Sequence, residues 1–484
     1  MKSSRIVIFI FCVLAGLSLL CVIFPAEGLQ IGDFRLEFPS LAYALDAEPK
    51  EDFLPIDTLE EEPEDTIPEI DEALLAMMDE KEAEFARDWS KNPTRIYLPN
   101  DSTEYLDAFF DALTDADKHR VRIMHYGDSQ LEGDRMTCIL RQEFQEAFGG
   151  RGIGLVPMMQ TVSGVTYQLE YSGDATRYLA YASKADQAEH HRYGPLCQMA
   201  EVDGEASFTF RCVGGRNFSH SGSFSSVTVM AKGSGSLELL VGTDSVGDLR
   251  SIESESLQMV RFDHGGYFGT LNVSGQMELY GFILDGATGV QMDNIGLRGS
   301  SGTIFTSIDR STLTPFFARD KVSLIILQYG GNSVPYLKGQ DNINGYISSL
   351  RKQIRLFQSL APESCILFVG PSDMATIDGE EMVTYPCIPP LIAAMRKMCS
   401  EEGIAFWNMY GAMGGSGTMV QWVENGLASE DYVHFSNAGA RKVSKMLFHA
   451  LESYYTYYRV RVGLDGIEEP DTMQQDTVRK EVKP

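Results

Sequence analysis

In two stretches of the chain, segments with the hydrophobic pattern of a strand alternate with segments that have the pattern of a helix. Continuous apolar runs that end at turn residues predict buried strands at 121–126, 321–329, 365–369 and 404–407. Apolar positions at helical spacing predict amphipathic helices that contain residues 136–148, 343–357, 391–399 and 443–451. Strands that alternate with such helices form a parallel sheet covered on both faces. The pattern therefore predicts a three-layer α/β/α domain with a parallel sheet, made of residues 76–161 and 290–464.

The intervening segment, residues 162–289, has a different pattern. Short β-rich runs are separated by Gly, Ser and Asp turns, and helical periodicity is weak. The runs lie at 207–212, 226–231, 237–241, 257–262, 269–273 and 276–284. This segment is predicted to be an inserted all-β domain, a sandwich of jelly-roll type, which leaves the α/β domain and returns to it.

The N-terminus has the pattern of a membrane segment. Lys2 and Arg5 precede an uncharged apolar stretch from Ile6 to about Phe24, which is long enough to cross a bilayer as a helix. Positive residues before it and acidic residues after it place the N-terminus in the cytoplasm and the main body outside. No small-residue cleavage site follows Phe24, so we interpret residues 1–25 as an uncleaved signal anchor, with a removed signal peptide as the alternative.

The segments on either side of the main body are not expected to form a core. Residues 26–75 are acidic and interrupted by proline, which is typical of a linker, although a helix is predicted over 68–89. Residues 465–484 are polar and are predicted to be a disordered tail. The linker would let the main body reach away from the membrane.

Composition narrows the classes of function. The chain has 484 residues, a formal charge of −28 and a pI near 4.7, without a cluster of Lys and Arg, which argues against nucleic-acid binding. The cysteines show no C-x-x-C spacing, which weakens a zinc or redox site. After export, Cys197 and Cys212 could form a disulfide or remain buried thiols, and the sequence does not choose.

Four short motifs, far apart in sequence, supply the groups of a serine esterase. They are Gly127–Ser129, Asn294–Gly299, Gly330–Ser333 and Asp431–His434. Ser129 follows a buried strand, at the edge where α/β sheets place their sites, and precedes a helix whose free N–H groups favour negative charge. Each motif alone could be an ordinary turn or cap. Their combined presence in this order predicts a site for acyl transfer.

The order Ser, Gly, Asn, Asp-x-x-His resembles that of the SGNH (GDSL) hydrolase superfamily. The resemblance implies that Ser129 is the nucleophile, that His434 is the general base and later the acid, and that Asp431 orients His434. It also implies an oxyanion hole formed by the backbone N–H groups of Ser129 and Gly299 and the side chain of Asn332. No metal ion and no organic cofactor are implied. The absence of Gly-x-Ser-x-Gly disfavours the alternative α/β-hydrolase fold.

One branch of the superfamily resembles the chain more closely. The segment Phe148–Pro157, followed by a β-rich insert before Gly299, is similar to the peptidoglycan O-acetylesterases, which have a domain like a carbohydrate-binding module at that place. Ser333 is a departure, because many relatives have Asp after the Asn. That Asp is not a member of the triad, so the departure concerns local structure more than chemistry.

These features predict an exported, membrane-tethered esterase that removes O-acetyl groups from a cell-wall or extracellular glycan through an acetyl-serine intermediate. One alternative is a glycan O-acetyltransferase that works with a membrane acyltransferase partner, because the sequence does not show whether water or a sugar hydroxyl accepts the acetyl group. Another is an inactive glycan-binding protein, against which the four intact side chains argue.

Two further groups of residues have simpler interpretations. Glu189, His190 and His191 could form a metal site, although a solvated polar loop explains them better. Asp134 and Arg135 could line the catalytic pocket or pair with neighbours.

Overall fold

The computed structural model describes residues 29–31, 34–36, 91–160, 162–181, 183–243, 246–319 and 321–463. The predicted signal anchor, most of the linker, the helix expected over 68–89 and the C-terminal tail lie outside these residues. Within the linker, β1 (Leu29–Ile31) and β2 (Phe34–Leu36) pair antiparallel. No helix in the described part of the chain has the length and apolar character needed to span a bilayer.

The main body contains fourteen described strands and eight described α-helices. The strands are β3 (Ile96–Tyr97), β4 (Arg120–Gly127), β5 (Gly152–Val156), β6 (Tyr167–Leu179), β7 (Gln198–Cys212), β8 (Ser226–Val241), β9 (Asp248–Phe262), β10 (Phe268–Asp285), β11 (Gly289–Gly296), β12 (Val322–Gln328), β13 (Cys365–Val369), β14 (Ala375–Asp378), β15 (Glu381–Thr384) and β16 (Ala405–Trp407). The helices are α1 (Asp107–Thr114), α2 (Thr137–Phe148), α3 (Thr314–Arg319), α4 (Gln340–Leu360), α5 (Ile388–Glu402), α6 (Met409–Met413), α7 (Thr418–Glu424) and α8 (Asn437–Arg461).

The α/β domain is built on a six-stranded sheet with the order β11-β4-β12-β13-β16-β3. Neighbouring strands pair parallel except β16 and β3, which pair antiparallel. Alternate residues of β4 point to opposite faces: Val121 and Ile123 pack in a cluster with α1, α2 and α8, whereas Met124 and Tyr126 pack in a cluster with α4 and α5. The predicted three-layer arrangement is therefore confirmed.

Two strands of this sheet, the short edge strand β3 and strand β11, were not predicted from the hydrophobic pattern. Strand β11 is buried beside β4, but its buried positions include Gln291, Asp293 and Asn294, which interrupt the apolar run expected of a buried strand. Burial of Asp293 is tolerated because Arg122 on β4 donates to both of its oxygens, at 2.7 and 2.9 Å. An ion pair between β4 and β11 thus allows a polar residue to be buried in β11, where an apolar residue is expected.

The inserted strands form a single antiparallel sheet with the order β6-β7-β10-β8-β9, and β5 pairs with the far end of β10. The inserted all-β domain is confirmed, and its sheet takes in β5, upstream of the predicted boundary at residue 162. In two cases, a pair of runs predicted as separate strands forms the two halves of one long strand. The runs 226–231 and 237–241 belong to β8, and the runs 269–273 and 276–284 belong to β10.

These long strands fold back so that one sheet makes two layers. Phe210 pairs beside Gly269 near the start of β10, and Phe282 lies near its end, yet the two phenylalanine rings are 4.7 Å apart. A straight strand would separate these positions by roughly 40 Å. At the bend, Gly204, Gly275 and Gly235 lie side by side on β7, β10 and β8. Gly275 has a φ of +124°, and a Cβ there would overlap a backbone carbonyl oxygen of the neighbouring strand.

Buried charges join the inserted sheet to the α/β domain. Arg122 donates to Asp285 at the end of β10 as well as to Asp293 on β11. Asp293 also accepts the N–H of Leu155 on β5 at 2.8 Å. Because a buried charge is costly unless it is paired and hydrogen-bonded, these contacts fix the insert beside the strand that leads to Ser129.

All six cysteines in the described part of the chain are free thiols. Cys197 and Cys212 are both buried and do not form the disulfide that the sequence left open. Burial raises the pKa of the Cys212 thiol to about 12, so it is protonated at neutral pH. These cysteines act as small apolar residues of the core.

Candidate active site

A cleft of about 200 Å³ opens where β4 and β12 end. The residues after β4 form one wall, and the 3-10 turn Gly331–Tyr336 after β12 forms another. The loop before α8 closes the third side with Val433 and His434. Because the parallel strands all end at this edge, segments that are far apart in sequence meet there.

The structure brings Ser129, His434 and Asp431 into one hydrogen-bonded chain. Ser129 Oγ lies 2.8 Å from His434 Nε2, and His434 Nδ1 lies 2.7 Å from Asp431 Oδ2. The other Asp431 oxygen accepts the backbone N–H groups of Val433 and His434, both at 2.9 Å. The carboxylate is thereby held against the imidazole. This arrangement can move a proton from the serine hydroxyl to the imidazole.

Hydrogen bonding keeps Asp431 ionised. Partial burial alone would raise the pKa of its carboxyl group, but the bonds from the His434 backbone, the His434 imidazole and the Val433 backbone outweigh it and hold the pKa below its usual value. An ionised Asp431 favours the imidazole tautomer with a proton on Nδ1, which leaves Nε2 free to accept the serine proton.

Gln130, which the sequence did not single out, links the serine turn to the histidine loop. Its side-chain amide donates to the carbonyl of Val433 at 2.8 Å, and its side-chain oxygen accepts the N–H of Phe435 at 3.3 Å. It therefore holds the residues on both sides of His434. Arg135 supports the same turn, because its guanidinium donates to the Ser129 carbonyl at 3.2 Å.

The helix expected directly after Ser129 begins later in the chain. A turn closed by the Leu131 N–H donating to the Asp128 carbonyl comes first, followed by a 3-10 turn at Glu132–Asp134. Helix α2 begins only at Thr137. The expected contribution of its free N–H groups to Ser129 is therefore absent from the described site. By contrast, Ser436 caps α8 as predicted, since its hydroxyl accepts the Gly439 N–H at 3.2 Å.

Asn332 lines the cleft, but its amide nitrogen already has two acceptors. Nδ2 donates to Asp128 Oδ2 and to the Ser300 carbonyl, both at 3.1 Å. Gly299 precedes Ser300 in a turn that follows β11, and its φ of +79° favours glycine. Gly299 is not among the cleft-lining residues, so the structure places it beside the cleft rather than in its wall.

Asp128 is the buried carboxylate of the site. Its side chain accepts the N–H of Gln130 at 2.9 Å and the amide of Asn332, and the residue is only 6% exposed. Burial raises the pKa of Asp128 to about 6, although both hydrogen bonds and nearby His434 act in the opposite direction. The motif Gly127–Ser129 therefore contributes a second polar group beside the serine.

The rim of the cleft is aromatic and apolar. Tyr336 is 76% exposed at the end of the turn that begins beside Asn332, and Pro335 precedes it. Met374 and Met409 also line the cleft. An exposed ring next to a cleft offers a flat apolar surface to a bound molecule.

The remaining candidates have structural roles. Asp134 is buried and paired with Arg141 at 2.8 Å, away from the cleft lining. Ser333 is buried in the turn after β12. Within the residues that the structure describes, no cluster of three or more His, Cys, Asp and Glu side chains could hold a metal ion, and this includes His190 and its neighbours.

Comparison with solved structures identifies the fold. A peptidoglycan O-acetylesterase aligns with a TM-score of 0.61 and 19% sequence identity, over 76% of this chain and 97% of that protein. Family two carbohydrate esterases align with TM-scores of 0.25: one from Cellvibrio japonicus at 10% identity over 60% of this chain and 99% of its own, and one from Clostridium thermocellum, in complex with cellohexaose, at 11% identity over 54% and 95%. No protein-family model and no curated protein matches the sequence.

The alignment with the peptidoglycan O-acetylesterase covers 76% of this chain, which is more than the α/β domain alone. The chain has the fold predicted from the motifs, the SGNH/GDSL fold, with an inserted antiparallel sheet. The resemblance predicted from the motifs is thus confirmed at the level of the fold.

Proposed function

We propose that the protein is an exported serine esterase that removes O-acetyl groups from a cell-wall or extracellular glycan. The observation that supports this most directly is the hydrogen-bonded chain from Ser129 through His434 to Asp431, at the edge of the sheet and open to a cleft. A serine, an imidazole and a carboxylate at these distances are the groups that acyl transfer requires.

In the proposed reaction, Ser129 Oγ attacks the acetyl carbonyl carbon while His434 Nε2 takes the serine proton. The C–O bond to the sugar then breaks, and His434 returns the proton to the departing sugar oxygen. Water, deprotonated by His434, attacks the acetyl-serine and releases acetate and free Ser129. The negative oxygen formed in each step is stabilised by N–H donors near Ser129, for which Asn332 is the side-chain candidate.

The glycan as substrate is supported by the fold and by the rim of the cleft. The solved structure that aligns over 97% of its own length is a peptidoglycan O-acetylesterase. Tyr336 lines the same cleft as Ser129 and is largely exposed, so its ring could stack on the sugar that carries the ester. The N-terminal segment, interpreted as a signal anchor with an acidic linker, would place this site outside the cytoplasm, where such glycans lie.

The test is acetate release from acetylated peptidoglycan and from p-nitrophenyl acetate by the purified protein and its Ser129→Ala variant. We expect kcat to fall by about 10⁴-fold or more, because the nucleophile is lost. Ser444→Ala is the matched control, since Ser444 is a buried serine of α8 outside the cleft. Full activity of Ser129→Ala would refute the mechanism.

Two results would replace the proposal by another. Transfer of the acetyl group to an unacetylated oligosaccharide, with little free acetate, would identify an O-acetyltransferase, which forms the same acetyl-serine. No release of acetate, together with no labelling of Ser129 by a fluorophosphonate, would favour a glycan-binding protein with an inactive site.

A further inference from the structure

The amide of Asn332 is held by two groups that can only accept hydrogen bonds. Its Nδ2 donates to a carboxylate oxygen of Asp128 and to the Ser300 carbonyl oxygen, both at 3.1 Å. An ionised carboxylate and a backbone carbonyl have no proton to donate. If the amide rotated by half a turn, Oδ1 would face both oxygens and both hydrogen bonds would be lost. The two contacts therefore define which end of the amide is Nδ2.

Orientation matters here because the two ends of an amide have opposite polarity and nearly the same shape. An oxyanion beside Asn332 is stabilised when Nδ2 faces it and is repelled when Oδ1 does. The Ser300 carbonyl is fixed by the backbone, so Asp128 is the side chain through which the protein sets this choice.

Asp128 is itself rigid. It is 6% exposed, its other oxygen accepts the Gln130 N–H at 2.9 Å, and it directly precedes Ser129. Gln130 also binds both sides of His434. The carboxylate that holds Asn332 is thus fixed to the same turn as the nucleophile.

We propose that Asp128 is a positioning residue that holds one N–H of Asn332 and so keeps Nδ2, not Oδ1, directed toward the oxyanion formed at Ser129. An amide nitrogen has two protons, so the oxyanion takes the N–H that donates to the Ser300 carbonyl in this structure. This inference rests on the proposed function, because it takes Asn332 as an oxyanion donor. Asp128 touches neither the substrate nor the reacting atoms in this scheme, and it acts only through Asn332.

The nearly isosteric variant Asp128→Asn separates this role from a simple charge effect. The new side chain can keep the Gln130 contact through its oxygen, but its amide nitrogen then faces Nδ2 of Asn332, so the Asn332 amide turns or shifts. We expect kcat on p-nitrophenyl acetate to fall about 100-fold, close to the loss in Asn332→Ala. A charge effect, by contrast, acts in opposite directions on the oxyanion and on protonated His434 and does not require Asn332, so it would persist in an Asn332→Ala background.

The double variant and a control complete the experiment. Asp128→Asn combined with Asn332→Ala should lose no more activity than Asn332→Ala alone, because both changes remove the same donor. Asp373→Asn is the control: Asp373 is also a fully buried carboxylate, but it binds Thr384 and the Met419 N–H and does not line the cleft. We expect its kcat to stay within about twofold of the wild-type value.

The pH dependence of the wild-type protein and of Asp128→Asn tests the same idea. A protonated Asp128 can donate to Oδ1 of Asn332 and so favour the wrong orientation, and burial places the pKa of Asp128 at about 6. The charged and titratable groups around Asp128 are His434, Arg135, Tyr329 and Tyr346.

Protonation of Asp128 can lower kcat/KM by at most the roughly 100-fold loss expected for Asp128→Asn, because both changes remove the same charge. We expect the ratio of kcat/KM between the wild-type protein and Asp128→Asn to be about 100 above pH 7 and to shrink as the pH falls below 6. A ratio that does not change with pH, or a kcat for Asp128→Asn equal to or above wild type, would overturn the inference. Neither result would contradict the proposed function. That proposal fails only if Ser129→Ala keeps its activity or no ester is hydrolysed.

Discussion

The parallel sheet and the inserted antiparallel sheet have the same number of strands, but they organise polar side chains in different ways. In the parallel sheet the strands end at one edge, and side chains from distant segments meet there around Ser129. In the inserted sheet the strands pair antiparallel with their neighbours. Glycines of three adjacent strands lie side by side where this sheet bends. Strand direction thus decides where a site can be assembled.

Two carboxylates, one from each region, have pKa values shifted in opposite directions. Burial raises the pKa of Asp128 in the cleft to about 6. In the inserted sheet Glu278 is also partly buried, but hydrogen bonds from Arg192 and Tyr280 and the nearby Lys232 outweigh burial and lower its pKa to about 2. The carboxylate in the insert stabilises the fold, whereas the one in the cleft is retained at a cost in stability.

The largest expected effect concerns the bend of the inserted sheet. Gly275→Ala brings a Cβ into overlap with the Ser234 carbonyl oxygen at a φ of +124°, so we expect the free energy of unfolding to fall by about 3 kcal/mol. Urea unfolding measures this change. The small-ester activity of the folded variant should remain, because the site belongs to the parallel sheet.

Gly242→Ala is the matched control for the bend. Gly242 also has a positive φ, of +66°, but an added Cβ there meets no atom within 4 Å. We expect a loss of about 1 kcal/mol, from backbone conformation alone. Equal losses at the two glycines would show that the close approach at the bend does not limit stability. Loss of activity in folded Gly275→Ala would show that the bend of the inserted sheet affects the site on the parallel sheet.

The next effect tests the carboxylate in the insert. Because Glu278 has a pKa of about 2 in the folded protein and an ordinary pKa of 4.5, the unfolded chain binds the proton more tightly. The stabilisation is therefore complete above about pH 5 and is lost as the pH falls from 4.5 toward 2. We expect Glu278→Gln to lower the free energy of unfolding by about 2 kcal/mol at pH 7, allowing for partial exposure, and to have little effect at pH 2.

Urea unfolding of Glu278→Gln and of the wild-type protein at the two pH values measures this difference. Glu255→Gln is the control, since Glu255 is fully exposed and lies 3.8 Å from the same Lys232. Its variant should match the wild-type protein at both pH values. A loss in Glu278→Gln that persists unchanged at pH 2 would mean that the carboxylate charge is not the stabilising feature.

The smallest effect asks which region binds the sugar next to the ester. With an acetylated disaccharide, Tyr336→Ala should raise KM about tenfold, because the exposed ring beside the cleft is removed. The kcat/KM for p-nitrophenyl acetate should stay within about twofold, and Tyr336→Phe should behave like the wild-type protein.

Tyr267→Ala is the control in the insert, where Tyr267 lies between β9 and β10 and is 51% exposed. It should leave KM for the disaccharide unchanged. If Tyr267→Ala raises KM and Tyr336→Ala does not, the insert rather than the cleft rim binds the sugar.

The hydrophobic pattern predicted most of the parallel sheet but not all of it. Strands β4, β12, β13 and β16 are apolar runs and were predicted close to their observed bounds. Strand β11 was missed because Asp293 and its polar neighbours are buried only through partners on other strands. In the insert, Gly233, Gly235 and Gly275 divided long strands into halves, because a glycine within a strand resembles a turn in the sequence.

The chemical groups of the site and their order could be read from the amino-acid sequence: a serine after the first strand, an asparagine after β12, and a carboxylate three residues before a histidine ahead of the last helix. Such local identities need no folded partner. Only the folded chain shows that Ser129 and His434 lie within hydrogen-bond distance. It also shows that Gln130 binds the loop that contains His434, and that Asp128 accepts a hydrogen bond from the amide of Asn332. These relations depend on where parallel strands end in space, because distances between side chains hundreds of residues apart are set by packing of the whole sheet rather than by spacing along the chain.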